Sequence, residues 1–167
     1  MGPRPPAGGD PVLSRRIGVE TVQTQETEVR EANEALYRAF ESLDIPKMDL
    51  LWAQEPYVCC VHPGWSPRSG WGRVRDSWVM IFNHTRAMRF RVSDVQGHLG
   101  GSIARIVCLE NIRADDGDHW VESQVVATYL FEMRVACWRM IHHQAPRSMP
   151  PARSRPLRVN ALEPFLG

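Results

Sequence analysis

Near residue 85 the spacing between apolar residues drops from three or four to two, and this switch constrains the fold more than any motif in the chain. Upstream, Val29, Ala32, Leu36, Phe40 and Leu43 share one face of a helix beginning near Thr27. Glu26, Glu28 and Glu31 lie close to its start, where carboxylates complement the helix dipole. Asp44 and Pro46 end that helix and open a short second one through Met48, Leu51 and Trp52. A strand-like run, Tyr57 to His62, is closed by Pro63-Gly64, and a Gly/Pro loop to Gly72 carries Trp65 and Trp71. Val74, Trp78, Ile81 and Phe82 then predict a third helix over 73–84.

Downstream, Phe90, Val92 and Asp94 alternate with Arg91, Ser93 and Val95, and further strand-like runs cover 102–111, 120–133 and 136–144. Turns are expected at Gly97–Gly101, at 114–117 and at Arg134-Val135. On the longest run, Val125, Ala127, Tyr129 and Phe131 share one face and Gln124, Val126, Thr128 and Leu130 the other. Strands joined by such short turns are antiparallel neighbours. The expected class is therefore α+β, with N-terminal helices packed on one face of a strongly curved, mainly antiparallel sheet.

Two ends fall outside this pattern. Residues 1–22 are rich in Pro and Gly and read as a flexible arm, the domain proper covers 23–147, and 148–167 form a Pro/Arg-rich extension. Twenty Lys+Arg against 19 Asp+Glu give a net charge of +1, so nothing draws the chain to nucleic acid or to an anionic membrane. No apolar run is long enough to span a bilayer, and no apolar stretch follows Arg15-Arg16 as a secretory signal would require. A cytoplasmic location is expected. Cys59, Cys60, Cys108 and Cys137 lack C-x-x-C spacing and sit in apolar runs, so they read as small hydrophobes in a reducing compartment.

Three stretches carry a family resemblance. Val61 to Trp65 (VHPGW) is followed by GWGRVRDSW from Gly70 to Trp78, then come Ile106 to Asn111 (IVCLEN), and last Val126 to Phe131 (VATYLF) with Cys137 to Ala145 (CWRMIHHQA). Together they resemble the SnoaL-like branch of the nuclear transport factor 2 superfamily over residues 25–147. The resemblance implies a cystatin-like cone enclosing a pocket between the concave sheet face and the helices, and a homodimer formed through the sheet's outer face. It does not single out a reaction, because one fold hosts many activities. Members often carry Asn where Thr128 stands and a Gly-containing turn where Arg134-Val135-Ala136 stands.

In such a cone the natural lining is aromatic, and Trp52, Trp65, Trp71, Trp78, Phe82 and Phe131, with Thr128, are the candidate ligand-binding residues. The alternative for Trp78 and Phe82 is plain core packing, which helix periodicity already explains. His62 is a candidate general base, since an ordinary imidazole pKa of about 6.5 suits proton transfer at neutral pH, and the alternative is a hydrogen-bonded histidine that fixes the loop. Glu110, ending an apolar strand, is a candidate acid or base of raised pKa, and the alternative is a strand-end carboxylate in water, since Glu is rarely buried unpaired. His142 and His143 are the remaining candidates. Alternation sets Trp138, Met140 and His142 on one side and Ile141 and His143 on the other, and leaves open which side faces the pocket. A zinc site from His62 and one of these lacks a clear third ligand, so no metal or cofactor is expected. Walker, dinucleotide-binding and G-x-S-x-G patterns are absent. The functional expectation is a small apolar or aromatic molecule bound in the pocket, with isomerase, dehydratase or hydrolase-like acid–base chemistry. The alternative is a non-enzymatic dimeric interaction module.

Overall fold

The computed structural model describes the backbone over residues 11–146 and side chains over 21–146. Helix α1 spans Pro11–Ser42, well upstream of the expected start near Thr27. Residues 11–22, expected as part of a flexible arm, are therefore helical, while 1–10 and the extension 148–167 lie outside the described residues. The physical reason is cooperativity: once the packed half of a helix exists, each added residue gains a hydrogen bond without a new nucleation cost. Pro11 at the first helical position is compatible with that, because its missing N–H has no intrahelical acceptor there.

Leu43 turns the chain with φ 51°, and α2 (Ile45–Leu51) follows. Asp44 caps α2, its carboxylate accepting from the Lys47 backbone N–H at 3.0 Å. Helix α3 runs Trp71–Asn83, entered through Gly70 at φ 83°, a left-handed conformation that suits glycine.

The strands are β1 (Cys59–Val61), β2 (Arg68–Ser69), β3 (Ala87–Gly100), β4 (Ile103–Asp115), β5 (Trp120–Arg134) and β6 (Cys137–Gln144), in the spatial order β2-β1-β6-β5-β4-β3. The four-strand meander matches the period-2 region. Its unexpected partner is β1, which pairs with β6 in parallel and makes the sheet mixed. Gly97 and Gly100 lie within β3, paired with Ile106 and Ile103, and the reversal falls on Gly101 (φ 63°) and Ser102.

Two bulges bend the sheet around the helices. One lies in β3 between Ser93 and Gln96, with Asp94 at φ 52°, and the other sits opposite Leu130/Phe131, where β6 carries Ile141 as an extra residue. Inside the curve, Leu36 and Phe40 of α1, Met48 of α2 and Val74 and Trp78 of α3 pack on Cys108, Ala127, Tyr129, Phe131 and Met140.

The β5–β6 turn is strained. Val135 and Ala136 adopt φ 41° and 64°, the two left-handed positions of a turn that ordinarily takes Asn-Gly. Val135 is fully exposed, so no packing would be lost by replacing it. Val135→Asn with Ala136→Gly should raise unfolding stability by about 1–2 kcal/mol, from the left-handed penalty relieved. Denaturant unfolding checks this, and an unchanged or lower midpoint would show that the turn stores no strain.

Candidate functional site

Strand β1 turns Cys60 and His62 inward, two residues apart on one face, and Cys59 outward. Parallel pairing sets Cys60 directly beside His143 of β6. Strict alternation from Trp138 and Met140 would turn His142 inward instead. The extra residue at Ile141 shifts the phase by one, so His143 is buried and His142 lies on the opposite face beside Leu130. Ser77, on the buried face of α3, completes the group.

The contacts are close. His62 Nε2 lies 2.8 Å from Ser77 Oγ, and the Ser77 hydroxyl donates to the Val74 carbonyl at 2.6 Å. With its one hydrogen so used, Ser77 accepts from His62, which puts the imidazole proton on Nε2 and leaves Nδ1 a lone pair. Cys60 Sγ lies 3.9 Å from that Nδ1 and 3.4 Å from His143 Nδ1. Tyr129 stacks on His143 with ring centroids 4.8 Å apart, and Trp78 meets His62 edge to face at 4.5 Å.

Burial holds both imidazoles neutral. It lowers His62 to about 4, with the Arg68 charge adding to the effect. It lowers His143 to about 3, helped by repulsion from His62 and His142. The near-neutral pKa that motivated His62 as a general base is therefore lost on folding. Burial likewise pushes the Cys60 thiol up, so it is no thiolate nucleophile.

A second polar group lies farther along the core. Glu110, 2% exposed, accepts from Tyr37 at 2.7 Å and from Tyr129 through a very short hydrogen bond. Cys108 Sγ lies 3.3 Å from the Tyr37 hydroxyl, and burial pushes that thiol up to about 11. Burial raises the Glu110 pKa, against the two tyrosine hydrogen bonds that favour its charged form. Both phenols are raised in turn, by burial first and by the carboxylate second.

Tyr37 also lines a cavity of about 510 Å³ between α1 and the β3–β4 hairpin. Val29, Asn33, Val92, Leu99 and Ile106 share its wall with the charged Glu26, Arg30, Glu34 and Arg105. None of the residues expected to line the pocket is in that wall. Trp52, Trp78, Phe82 and Phe131 are buried in the core, Trp71 packs on Trp52 at 6.2 Å, and Trp65 packs on His62 at 5.2 Å. Thr128 points to the other face of the sheet from Ala127 and Tyr129. The aromatics fill the cone around His62, and the open space lies where α1 lifts off β3 and β4. Of the four candidate catalytic residues, His62 and His143 come together, Glu110 joins Tyr37 and Tyr129 instead, and His142 lies outside both groups.

Asn33, Tyr37, Tyr129, Cys60 and Ser77 escaped the sequence reading. A signal existed for the first two: Val29, Asn33, Leu36, Tyr37 and Phe40 form one helical stripe, in which Asn33 and Tyr37 are the polar members.

Glu110 allows a direct test. Its folded pKa exceeds the ordinary carboxylate value of about 4.3, so folding tightens its hold on a proton. The resulting stability is full below about pH 4.3 and is lost as pH rises through the folded pKa. Thermal unfolding of the wild type and Glu110→Gln from about pH 8 down to about pH 4 should show the wild type gaining on the variant as pH falls. A difference that stays constant would mean that Glu110 titrates normally.

A family model described as a SnoaL-like domain matches residues 29–150. Among solved structures, a candidate dehydratase of the NTF2-like family from Streptomyces avermitilis is 33% identical, with a TM-score of 0.72 over 77% of this chain and 99% of that one. A candidate calcium/calmodulin-dependent protein kinase type II association domain from Thiobacillus denitrificans is 25% identical, with a TM-score of 0.60 over 71% of this chain and 93% of that one. Among curated proteins, the F-box protein SKIP8 of Arabidopsis thaliana is 28% identical over 98 residues, which is 59% of this chain and 40% of SKIP8. This chain thus spans less than half the length of that relative. The family match covers most of the chain and every element that builds the two polar groups except the start of α1, and this chain belongs to the SnoaL-like domain family of the nuclear transport factor 2-like superfamily.

Proposed function

We propose that this chain binds a small apolar or aromatic molecule bearing a hydrogen-bond donor in the cavity between α1 and the β3–β4 hairpin, and that Tyr37 with Glu110 supplies acid–base chemistry there. The observation that carries this reading is Asn33. It is buried in the cavity wall, and its Oδ1 has no hydrogen-bond partner. An unpaired buried acceptor costs about 1–3 kcal/mol, which a donor on a ligand would offset. Val29, Val92, Leu99 and Ile106 offer apolar contact around it.

Tyr37 brings a hydroxyl to the same wall, bonded to Glu110, which does not itself line the cavity. A phenol backed by a carboxylate can hold or pass a proton at a substrate oxygen, which suits dehydration or isomerisation. The candidate dehydratase at 33% identity favours the same class.

The test is ligand-induced thermal stabilisation with a panel of hydroxylated aromatic and alicyclic compounds. A ligand at a hundred times its Kd should stabilise the fold by about 2.7 kcal/mol. Asn33→Leu should weaken a hit about tenfold or more, from the hydrogen bond lost. Tyr37→Phe should keep binding while slowing any turnover by about 10²–10⁴-fold. A broad panel without a hit, or hits indifferent to Asn33→Leu, would sink this reading.

A second reading, a dimeric interaction module, rests on the sheet's outer face, where Val126 is 52% exposed. If that face joins two copies, light scattering after gel filtration should report a dimer and Val126→Glu a monomer. A monomeric wild type would end it.

A further inference from the structure

Cys60, His62 and His143 meet through two separate features of the sheet: the parallel β1–β6 pairing and the bulge at Ile141. We propose that these three side chains form a zinc-binding site, with one thiolate and two imidazoles as ligands and a fourth position left for water or a small donor. The proposal is independent of the cavity lined by Asn33 and Tyr37.

The first support is distance. The three donor atoms are buried and lie within 4.8 Å of one another. Zinc with a Zn–S bond of ~2.3 Å and a Zn–N bond of ~2.0–2.1 Å, in tetrahedral geometry, separates sulfur from nitrogen by about 3.6 Å. Cys60 Sγ is 3.4 Å from His143 Nδ1 and 3.9 Å from His62 Nδ1, the nitrogen that the Ser77 bond leaves free, while the nearer His62 Nε2, at 3.6 Å, is held by Ser77. A cation would need only small side-chain shifts to draw in both sulfur–nitrogen pairs.

The second support is a shortage of hydrogens. The Ser77 bond leaves His62 Nδ1 as an acceptor. His143 Nδ1 also faces Cys60. In the tautomer with its proton on Nε2, His143 competes with His62 for the one thiol hydrogen, and zinc in place of that hydrogen satisfies both lone pairs and the sulfur at once. His143 Nε2 itself has no hydrogen-bond partner.

The surroundings fit as well. With Nδ1 as the ligand atom, His62 keeps its Nε2–H on Ser77, and a metal-bound histidine ordinarily has such a partner on its second nitrogen. A thiolate with two imidazoles suits zinc rather than magnesium or calcium, which take oxygen ligands. Trp78 and Tyr129 wall the group and keep bulk water from competing. The sequence alone offered no third ligand, because Cys60 reads as a small hydrophobe until β1 is paired with β6.

The experiment uses untagged full-length protein stripped with a chelator and titrated with Zn²⁺ against a chromophoric competitor, with Co²⁺ as a spectroscopic stand-in. The expected result is one equivalent of tightly bound zinc, a rise in melting temperature, and a thiolate-to-cobalt charge-transfer band in the near ultraviolet. Cys60→Ser and His143→Gln should weaken binding at least a hundredfold, and Ser77→Ala by roughly 10–100-fold. Cys59→Ser and His142→Ala, next in sequence but on the other face, should leave it unchanged. Zinc binding that survives Cys60→Ser, or wild type with no saturable zinc binding, overturns the proposal. Should Cys60→Ser fail to fold, the cobalt spectrum of the wild type decides, and a spectrum without the thiolate band overturns it equally.

Discussion

The register of β6 against its two neighbours is the constraint on which the histidine–cysteine group, and its contact with the second polar group, depend. On one side β6 meets β1 in parallel, which puts His143 beside Cys60. On the other it meets β5 across a bulge, with His143 opposite Tyr129. Remove the extra residue at Ile141 and the period-2 rule would put His142 in the core instead. The stack of Tyr129 on His143 is thus also the link between the histidine–cysteine group and the Glu110–tyrosine group.

Burial then decides what these groups can do. The same dry surroundings that lower the two histidines raise Glu110, Cys108 and both tyrosines. Each shift favours the neutral form, so the interior avoids holding isolated charge. At neutral pH the core therefore holds hydrogen-bonded neutral groups rather than charged imidazoles. The tryptophans act by filling space: Trp78 contacts Phe40, Phe82, His62 and His143, and its bulk moves the open volume toward α1, β3 and β4.

Much of this was legible from local pattern. The three helices, the four-strand meander and the division of β5 into two faces follow from periods of 3.6 and 2, because those periods are properties of each segment alone. The inward placement of Trp78 and Phe82 follows for the same reason. Glu110 and His62 were recognisable as polar residues in apolar runs, but the pattern equally allowed Glu110 to end its strand in water, and only packing against Tyr37 and Tyr129 buries it. The helical start at Pro11 was hidden, since Pro and Gly early in the chain read as a loop and cooperative extension from the packed half outweighs them.

By itself, then, the sequence determined the element order, the α+β class and which residues of each regular segment share a face. Only the tertiary structure decided which inward residues meet. Parallel pairing of strands about eighty residues apart has no local signal, and a single-residue bulge reverses the face of everything beyond it. Those two events made Cys60 a neighbour of His143 and turned His142 away.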